Sequence, residues 1–214
     1  MRILIIPGWL HSEDMYDSLV KELDAQIYQY SGDTIKNRVK ALKRYLQRTN
    51  YDYVIGFCMG GNIAMKSVTK EKLILVNPIY GGLKDICKKF DAEAMNMTRN
   101  SPMLAKLMSM FLVSGFGHKA EPLIRNLNKC NATVELRLLK ELEEDDYVAK
   151  PREAFTALIL SKKDKILVDE KIDELKKNIN AAAVTEVKGG HTPLLECPTK
   201  LLSALKELMK AGGN

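Results

Sequence analysis

The sequence lacks the patterns that mark several classes of protein. Its 214 residues include four cysteines but no Cys-x-x-Cys pair, which argues against a zinc knuckle or a thioredoxin-type redox site. The three histidines lie far from one another in the chain, so we expect no metal site and no other cofactor. No stretch approaches the roughly 18 continuous apolar residues of a membrane span. The simplest expectation is a cytoplasmic protein that does not act in a membrane.

Basic runs are also missing. The formal net charge is +6, but Lys and Arg are scattered among acidic residues, and no basic run alternates with aromatic residues. We therefore expect no nucleic-acid partner. Hydrophobic residues form 46% of the chain and charged residues 28%, which is ordinary for a folded domain and argues against a disordered chain.

Short apolar, β-branched runs alternate with amphipathic helical patterns along the chain. Such alternation favours a mostly parallel sheet with helices on both faces, because parallel strands need crossover connections. We predict a three-layer α/β protein with a sheet of about six strands. The predicted strands are Arg2 to Pro7, Ala25 to Tyr30, Tyr53 to Phe57, Lys72 to Val76, Thr156 to Leu160, and Ala183 to Val187.

Three predicted helices begin with residues that are typical of helix starts. Ser12 precedes two acidic residues, and Thr34 precedes a run with apolar residues at helical spacing, as helix-starting residues often do. The last predicted helix opens at Thr192, has a proline near its start, and ends just before Gly212.

The segment from residue 81 to residue 151 interrupts the alternation of strands and helices. It is roughly twice as long as a crossover between parallel strands needs. Its methionines and leucines recur with an apolar face, which predicts helices. We therefore predict a single domain over residues 1–214, with a helical cap inserted at about 81–151. The cap would lie over the carboxyl edge of the sheet, where ligands bind in open α/β folds.

The strongest chemical signal is a cysteine at the end of a predicted buried strand. Residues 53–65 read Tyr-Val-Ile-Gly-Phe-Cys-Met-Gly-Gly-Asn-Ile-Ala-Met, which places Cys58 on a strand-to-helix turn. Such a turn favours glycine two residues before and two residues after the nucleophile, and Gly56 and Gly60 occupy these positions. The helix dipole would favour a thiolate at Cys58. The alternative is a structural thiol, because free cysteine is often buried.

The whole chain resembles the α/β-hydrolase family, in which the nucleophile, the acid and the histidine follow one another in sequence. Gly-Phe-Cys-Met-Gly-Gly at residues 56–61 resembles the nucleophile elbow of that family, with cysteine where most members have serine. Dienelactone hydrolases and polyhydroxyalkanoate synthases also have cysteine there. Leu-Ile-Leu-Ser-Lys-Lys-Asp-Lys-Ile-Leu-Val at residues 158–168 resembles the acid loop. Gly-Gly-His-Thr-Pro-Leu at residues 189–194 resembles the histidine loop.

This resemblance implies roles for three residues. Cys58 would attack an acyl carbon after giving its proton to His191, and Asp164 would orient the imidazole and stabilise its charged form. Other acidic residues stay open for the last role: Asp169, Asp145 and Asp146.

An acyl-transfer site also needs donors for the oxygen of the tetrahedral intermediate and a surface for the acyl group. The resemblance implies that the backbone N–H groups of Met59 and Trp9 are the donors. Methionine side chains adapt to apolar ligands of different shape, so the cap could form the acyl-binding surface. The predicted substrate-binding residues are Trp9, Leu10, Met103, Met108 and Phe111.

Together these features predict a hydrolase of a carboxylic ester or thioester that works through an acyl-cysteine intermediate. We expect a small-molecule acyl substrate, either free or carried on coenzyme A or an acyl carrier protein. Two alternatives stay open: an acyltransferase with the same three residues, and a hydrolase-like protein that binds a ligand without turning it over.

Overall fold

The computed structural model describes residues 1–83, 101, 103 and 121–213. Within these residues the β-strands are β1 (Ile3–Ile6), β2 (Ala25–Ile27), β3 (Tyr53–Phe57), β4 (Lys72–Val76), β5 (Thr156–Ser161) and β6 (Ala183–Val187). They form one sheet in the order β2-β1-β3-β4-β5-β6, and every pair of neighbours is parallel. The six predicted strands are thus confirmed. β2 is shorter than predicted, since it ends at Ile27 rather than near Tyr30.

Helices cover both faces of this sheet, which confirms the predicted three-layer α/β architecture. The described helices are α1 (Asp17–Leu23), α2 (Ile35–Gln47), α3 (Met59–Ser67), α4 (Glu121–Lys129), α5 (Ala132–Glu143), α6 (Asp169–Asn178), α7 (Pro193–Glu196) and α8 (Pro198–Gly213). Thr34 begins α2 as predicted, and its side chain accepts a hydrogen bond from the N–H of Asn37 at 3.1 Å.

The first helix starts differently from the prediction. A 3-10 turn at Glu13–Tyr16 precedes α1, and Ser12 makes no side-chain capping bond. The hydroxyl of Ser12 is buried and has no hydrogen-bond partner among the described residues. The tight turn buries Met15 and Tyr16, and the fully buried Tyr16 contacts the loop after β1. Burial of Tyr16 therefore outweighs side-chain capping at this helix start.

The predicted last helix is two helices, which corrects the sequence-based interpretation. The chain breaks at Cys197, whose φ and ψ of −143° and 56° are not helical, and Pro198 follows directly. Proline disfavours the helical conformation in the residue before it, so α7 ends and α8 begins anew. Gly212 lies inside the last turn of α8 rather than beyond its end.

The burial of the strands shows where the core lies. Every residue of β1, β3 and β5 is buried, as expected for strands covered on both faces. β6 forms the edge of the sheet, and its residues alternate between exposed and partly buried until the buried Val187. No helix among the described residues has the length and apolar character needed to cross a membrane.

Helices α4 and α5 belong to the segment that was predicted as a cap. Asn126 of α4 donates a hydrogen bond to the carbonyl of Leu10 at 2.8 Å, and the indole N–H of Trp9 donates to the carbonyl of Glu135 at 3.3 Å. These bonds attach α4 and α5 to the loop that follows β1. The remaining part of the predicted cap lies outside the described residues, so the cap and the single domain stay predictions.

Backbone packing between β1 and α3 leaves no room for a side chain at Gly60. A Cβ added at Gly60 would overlap the carbonyl groups of Ile6 and Pro7, which are backbone atoms that cannot rotate away. This close approach lets the first turn of α3 lie directly against the carboxyl end of β1.

Gly60→Ala is expected to lower the free energy of unfolding by about 1–3 kcal/mol, because the added methyl group forces backbone atoms apart. Urea unfolding followed by circular dichroism measures the change. Gly213→Ala is the matched control, since an added Cβ there meets nothing within 4 Å. If both variants unfold at the same urea concentration, the proposed close packing of α3 on β1 is wrong.

Candidate active site

Cys58 lies on a strained turn between β3 and α3. Its φ and ψ are 51° and −119°, a conformation that residues with a side chain rarely adopt. Backbone hydrogen bonds hold it in place: the N–H of Cys58 donates to Val76 at 3.0 Å, and its carbonyl accepts from Gly61 at 3.0 Å and Ile79 at 3.2 Å. The side chain thus lies at the amino end of α3, as predicted from the sequence.

The glycine before the turn is also sterically required. A Cβ added at Gly56 would lie 2.8 Å from both the carbonyl oxygen of Gly60 and the Cα of Gly61. Since those are backbone atoms of α3, only glycine lets β3 and α3 approach this closely. The two glycines singled out in the sequence therefore both lie at contacts that exclude a side chain.

His191 and Asp164 come together in the fold, although 27 residues separate them. Nδ1 of His191 lies 2.8 Å from Oδ2 of Asp164. The other carboxylate oxygen, Oδ1, accepts hydrogen bonds from the backbone N–H groups of Ile166 at 2.8 Å and Leu167 at 3.2 Å. Asp164 is therefore fixed by the loop after β5, and it fixes the imidazole in turn.

The pKa values of Asp164 and His191 shift in opposite directions from their usual values. Burial raises the pKa of Asp164, but the charge of His191, its hydrogen bond and the two backbone N–H groups more than offset this and leave the pKa below its usual value. Burial lowers the pKa of His191, but the charges of Asp164 and Cys58 more than offset it and hold the pKa well above its usual value. A charged imidazole beside a carboxylate is thus the favoured state of the pair.

The second nitrogen of His191 faces the nucleophile candidate. Nε2 is buried and makes no hydrogen bond of ordinary geometry with any described residue. Cys58 is nevertheless near enough to raise the pKa of His191 through its charge and through a hydrogen bond in the ionised pair. Contacts of this kind are commonly long in enzymes without substrate and shorten when substrate binds.

The loop after β1 borders Cys58. A Cβ added at Gly8 would lie 3.0 Å from Cβ of Cys58. The backbone N–H groups of Trp9 and Met59 donate no hydrogen bond to any other described residue, although both residues are buried. Met59 follows Cys58 in the chain and Trp9 follows Gly8, so both N–H groups stay candidates for the predicted oxyanion donors.

A second histidine lies near the same site and is neutral. Burial, and then the charge of His191, lowers the pKa of His11 to about 3. The phenol oxygen of Tyr16 accepts a hydrogen bond from the N–H of Gly8 at 3.2 Å and lies 2.6 Å from Nδ1 of His11. Burial holds the pKa of Tyr16 well above its usual value, so the phenol keeps its proton. A neutral phenol and a neutral imidazole thus share a short hydrogen bond beside the loop after β1.

Arg38 places a buried positive charge beside Met59, and only 8% of the residue is exposed. Its Nη1 donates to the sulfur of Met59 at 3.6 Å, and its guanidinium lies 4.5 Å from the centre of the Tyr30 ring. Within the described part of the chain, Arg38 forms no salt bridge with a carboxylate. Its charge partly offsets the rise in the pKa of Glu135 that burial causes.

The other acidic candidates lie elsewhere. Asp145 accepts hydrogen bonds from Asn62 at 2.7 Å and from Lys66 at 2.6 Å, which ties the chain before β5 to α3. Asp169 lies in the first turn of α6, and Asp146 is exposed. Asp164 is the carboxylate that contacts His191 in the described structure.

The predicted substrate-binding residues are only partly described. Trp9 and Leu10 are buried in the loop after β1, whereas 69% of Met103 is exposed. Met108 and Phe111 lie outside the described residues. Nowhere in residues 1–83 and 121–213 do three His, Cys, Asp or Glu side chains form a group that could hold a metal ion.

Sequence reasoning missed three residues around this site: Tyr16, Arg38 and Asn77. Tyr16 and Arg38 lie in helical patterns that looked like ordinary amphipathic helices. Asn77 had a local signal, because an Asn-Pro pair after a buried strand marks a turn. That signal predicts a turn but not the contacts of the Asn77 side chain, which join residues far apart in the sequence.

Comparisons with solved structures agree with this architecture. An esterase from Exiguobacterium antarcticum is 18% identical, with a TM-score of 0.74 and coverage of 98% of this chain and 92% of that chain. A thermophilic esterase from Thermogutta terrifontis is 17% identical, with a TM-score of 0.74 and coverage of 100% of this chain and 91% of that chain. An alpha/beta hydrolase fold protein from Burkholderia ambifaria is 12% identical, with a TM-score of 0.69 and coverage of 95% of this chain and 88% of that chain.

No family model matches the sequence, and no curated protein matches it significantly. The sheet order, the helices on both faces and the structural matches together show that the chain has the α/β-hydrolase fold.

Asp164→Asn is expected to lower the pKa of His191, because burial then acts on the imidazole without an opposing carboxylate. It should also lower the free energy of unfolding by about 3 kcal/mol near neutral pH, since it breaks a buried ion pair. NMR titration of the imidazole and urea unfolding measure the two effects.

The pH dependence of the stability loss follows from the two pKa shifts. The contribution of Asp164 is present above its unfolded value of about 4 and is lost as pH falls through the lowered folded pKa. The contribution of His191 is present below its unfolded value of about 6.5 and is lost as pH rises through the raised folded pKa. The difference between wild type and variant should therefore shrink below about pH 4. A difference that stays constant down to pH 2 would contradict the ion pair.

Proposed function

We propose that the protein hydrolyses a carboxylic ester or thioester through an acyl intermediate on Cys58. The observation that carries this proposal is the convergence of three groups from separate loops. Cys58 lies on a strained turn at the start of α3, and the buried His191 faces it while bonded to Asp164 at 2.8 Å. A nucleophile, a base and an orienting carboxylate in this relation form the arrangement of acyl-transfer enzymes.

The first half of the proposed reaction starts from an ion pair in which Nε2 of His191 already holds the proton of the Cys58 thiol. The thiolate attacks the acyl carbon, and the carbonyl oxygen becomes an oxyanion that accepts hydrogen bonds from the N–H groups of Trp9 and Met59. The intermediate collapses, the bond to the leaving oxygen or sulfur breaks, and His191 gives its proton to the leaving group. The alcohol or thiol departs, and the acyl group remains on the sulfur of Cys58.

In the second half, water replaces the departed group. His191 removes a proton from the water molecule as its oxygen attacks the acyl carbon, and the same two N–H groups bind the second oxyanion. The carbon–sulfur bond breaks, which leaves the thiolate of Cys58 beside the protonated His191 and restores the starting ion pair. The products are a carboxylic acid and the free enzyme, so protons balance over the cycle.

The substrate class follows from the residues around the nucleophile and from similar folds. Trp9 and Leu10 belong to the loop beside Cys58, and both residues are apolar and buried. The matching structures include esterases from Exiguobacterium antarcticum and Thermogutta terrifontis, which supports an ester. We propose a small acyl ester or thioester whose acyl group is bound by Trp9, Leu10 and the predicted cap at about 81–151. Coenzyme A or an acyl carrier protein would be the carrier of a thioester.

An acyl-enzyme trap tests this function. Wild-type protein is mixed with aryl esters, acyl-coenzyme A and acylated carrier protein, and intact-protein mass spectrometry follows the adduct while product release is measured. We expect an adduct on Cys58, together with release of the free acid, for at least one ester or thioester. An adduct that transfers to an added thiol rather than to water would identify an acyltransferase. Ligand binding without adduct or product would identify a binding protein.

Cys58→Ala and His191→Ala are each expected to reduce kcat at least about 1,000-fold, because each variant removes a group on which covalent catalysis depends. The double variant should be little slower than either single variant, since the two residues act as one unit. Rates under saturating substrate measure the effect. Lys206→Ala is a control at an exposed ion pair on α8 and should keep wild-type activity. Additive losses in the double variant would show that Cys58 and His191 act independently.

A further inference from the structure

We propose that Asn77 is a positioning residue. Its hydrogen bonds fix the loop that carries Asp164 and the loop that carries His191 relative to the turn at Cys58. The inference rests on the proposed function for its effect on rate, but its geometric content is independent of any substrate. Asn77 follows β4 directly, and β4 lies between β3, which leads to Cys58, and β5, which leads to Asp164.

The backbone around Asn77 is bonded to the nucleophile turn. Val76, the residue before it, accepts a hydrogen bond from the N–H of Cys58 at 3.0 Å. Ile79, two residues after it, donates its N–H to the carbonyl of Cys58 at 3.2 Å. Both backbone groups of the nucleophile are therefore fixed by the four residues that contain Asn77.

The side chain of Asn77 is bonded to the other two loops, and only 1% of the residue is exposed. Its Oδ1 accepts a hydrogen bond from the N–H of Ser161 at 2.8 Å, and its Nδ2 donates to the hydroxyl of Ser161 at 2.8 Å. The same Nδ2 donates to the carbonyl oxygens of His191 at 2.9 Å and Gly190 at 3.4 Å. One amide thus contacts the end of the acid strand and the backbone of the histidine itself.

Of the residues that Asn77 contacts, Ser161 is hydrogen-bonded to Asp164, and His191 is the proposed base itself. The carbonyl of Ser161 accepts a hydrogen bond from the N–H of Asp164 at 3.2 Å, so the start of the acid loop is bonded to the residue that Asn77 holds. The imidazole of His191 extends from a backbone whose carbonyl Asn77 fixes. The distance between Nδ1 of His191 and Oδ2 of Asp164 therefore depends on two loops that share one anchor.

Asparagine suits this position for two separate reasons. Its φ is 43°, a left-handed conformation that asparagine tolerates better than most residues with a side chain. Its amide also presents an acceptor at one end and two donors at the other. Aspartate would keep the backbone preference but would put an acceptor against the carbonyl oxygens of Gly190 and His191.

The experiment compares Asn77→Gly and Asn77→Asp with wild type. Glycine keeps the left-handed conformation at no steric cost and removes the side chain, whereas aspartate keeps the shape and removes the donors. Ser161→Ala is a milder variant that removes one acceptor and leaves the bonds to the histidine loop. Tyr53→Phe is the matched control, because it removes a buried hydrogen bond of 2.7 Å to the carbonyl of Met209 at the other end of β3.

Two readouts are measured on the variants. The first is the split between kcat and KM, and both Asn77 variants should lose about 100-fold in kcat with little change in KM, as expected when catalytic groups are misplaced. The second is the NMR signal and pKa of the His191 imidazole, which faces Asp164, Cys58 and His11. The pKa should fall toward its usual value in Asn77→Gly, shift less in Ser161→Ala and stay unchanged in Tyr53→Phe. In Asn77→Asp the added carboxylate itself favours a charged imidazole, so that variant is compared by kcat and KM alone.

The outcomes separate the two proposals. If wild type hydrolyses no ester or thioester, the proposed function fails, and the imidazole pKa still decides whether Asn77 positions His191. If kcat falls in Tyr53→Phe as much as in Asn77→Gly, general destabilisation explains the loss and the positioning role is wrong. If the His191 pKa is unchanged in Asn77→Gly, the positioning role is likewise wrong, whatever the rates show.

Discussion

The strained backbone at Cys58 is the constraint on which the rest of the site depends. A residue held at φ 51° costs on the order of 1–3 kcal/mol, and the surrounding structure must supply that energy. The N–H of Cys58 donates a hydrogen bond to the carbonyl of Val76, and its carbonyl accepts hydrogen bonds from Ile79 and from the first turn of α3. Both backbone groups of the nucleophile are thus held. The close approach at Gly56 and Gly60 then brings β3, α3 and the end of β1 together. The strained turn thus lies beside the carboxyl ends of β1 and β3, whose residues are all buried.

Electrostatics within this buried site favour one particular arrangement of charge. Desolvation opposes a charged imidazole at both His11 and His191, yet the two rings differ in protonation because only His191 contacts a carboxylate. A neutral His11 avoids a second positive charge beside His191. The buried Arg38 lies next to the side chain of Met59. The charges of His191 and Asp164 are therefore fixed before a substrate arrives, which reduces the reorganisation that the proposed reaction requires.

The sequence predicted the parts of this architecture that depend on local patterns. The buried strands carry β-branched runs, and the nucleophile turn needs glycine at fixed offsets, so the six strands and the turn at Cys58 could be inferred from neighbouring residues. The break before Pro198 was missed because the apolar pattern continues across Cys197 while the backbone does not. Asn77 was missed for another reason: its partners Ser161 and Gly190 are more than 80 residues away in the chain. Its role depends on tertiary contacts, which a single sequence does not display.

The hydrogen bonds between helices α4 and α5 and the loop after β1 bear on the proposed mechanism. Asn126 and Glu135 hold Leu10 and Trp9 by hydrogen bonds at 2.8 and 3.3 Å, so α4 and α5 are bonded to the same short loop that supplies one oxyanion donor. A displacement of these helices would move the backbone of Trp9 relative to Met59, which is fixed at the start of α3. Because oxyanion stabilisation depends on the positions of both donors, the rate of acyl transfer and the seating of the acyl group are coupled through Trp9 and Leu10. In the proposed reaction, the residues that recognise the substrate and those that stabilise its transition state thus share one loop.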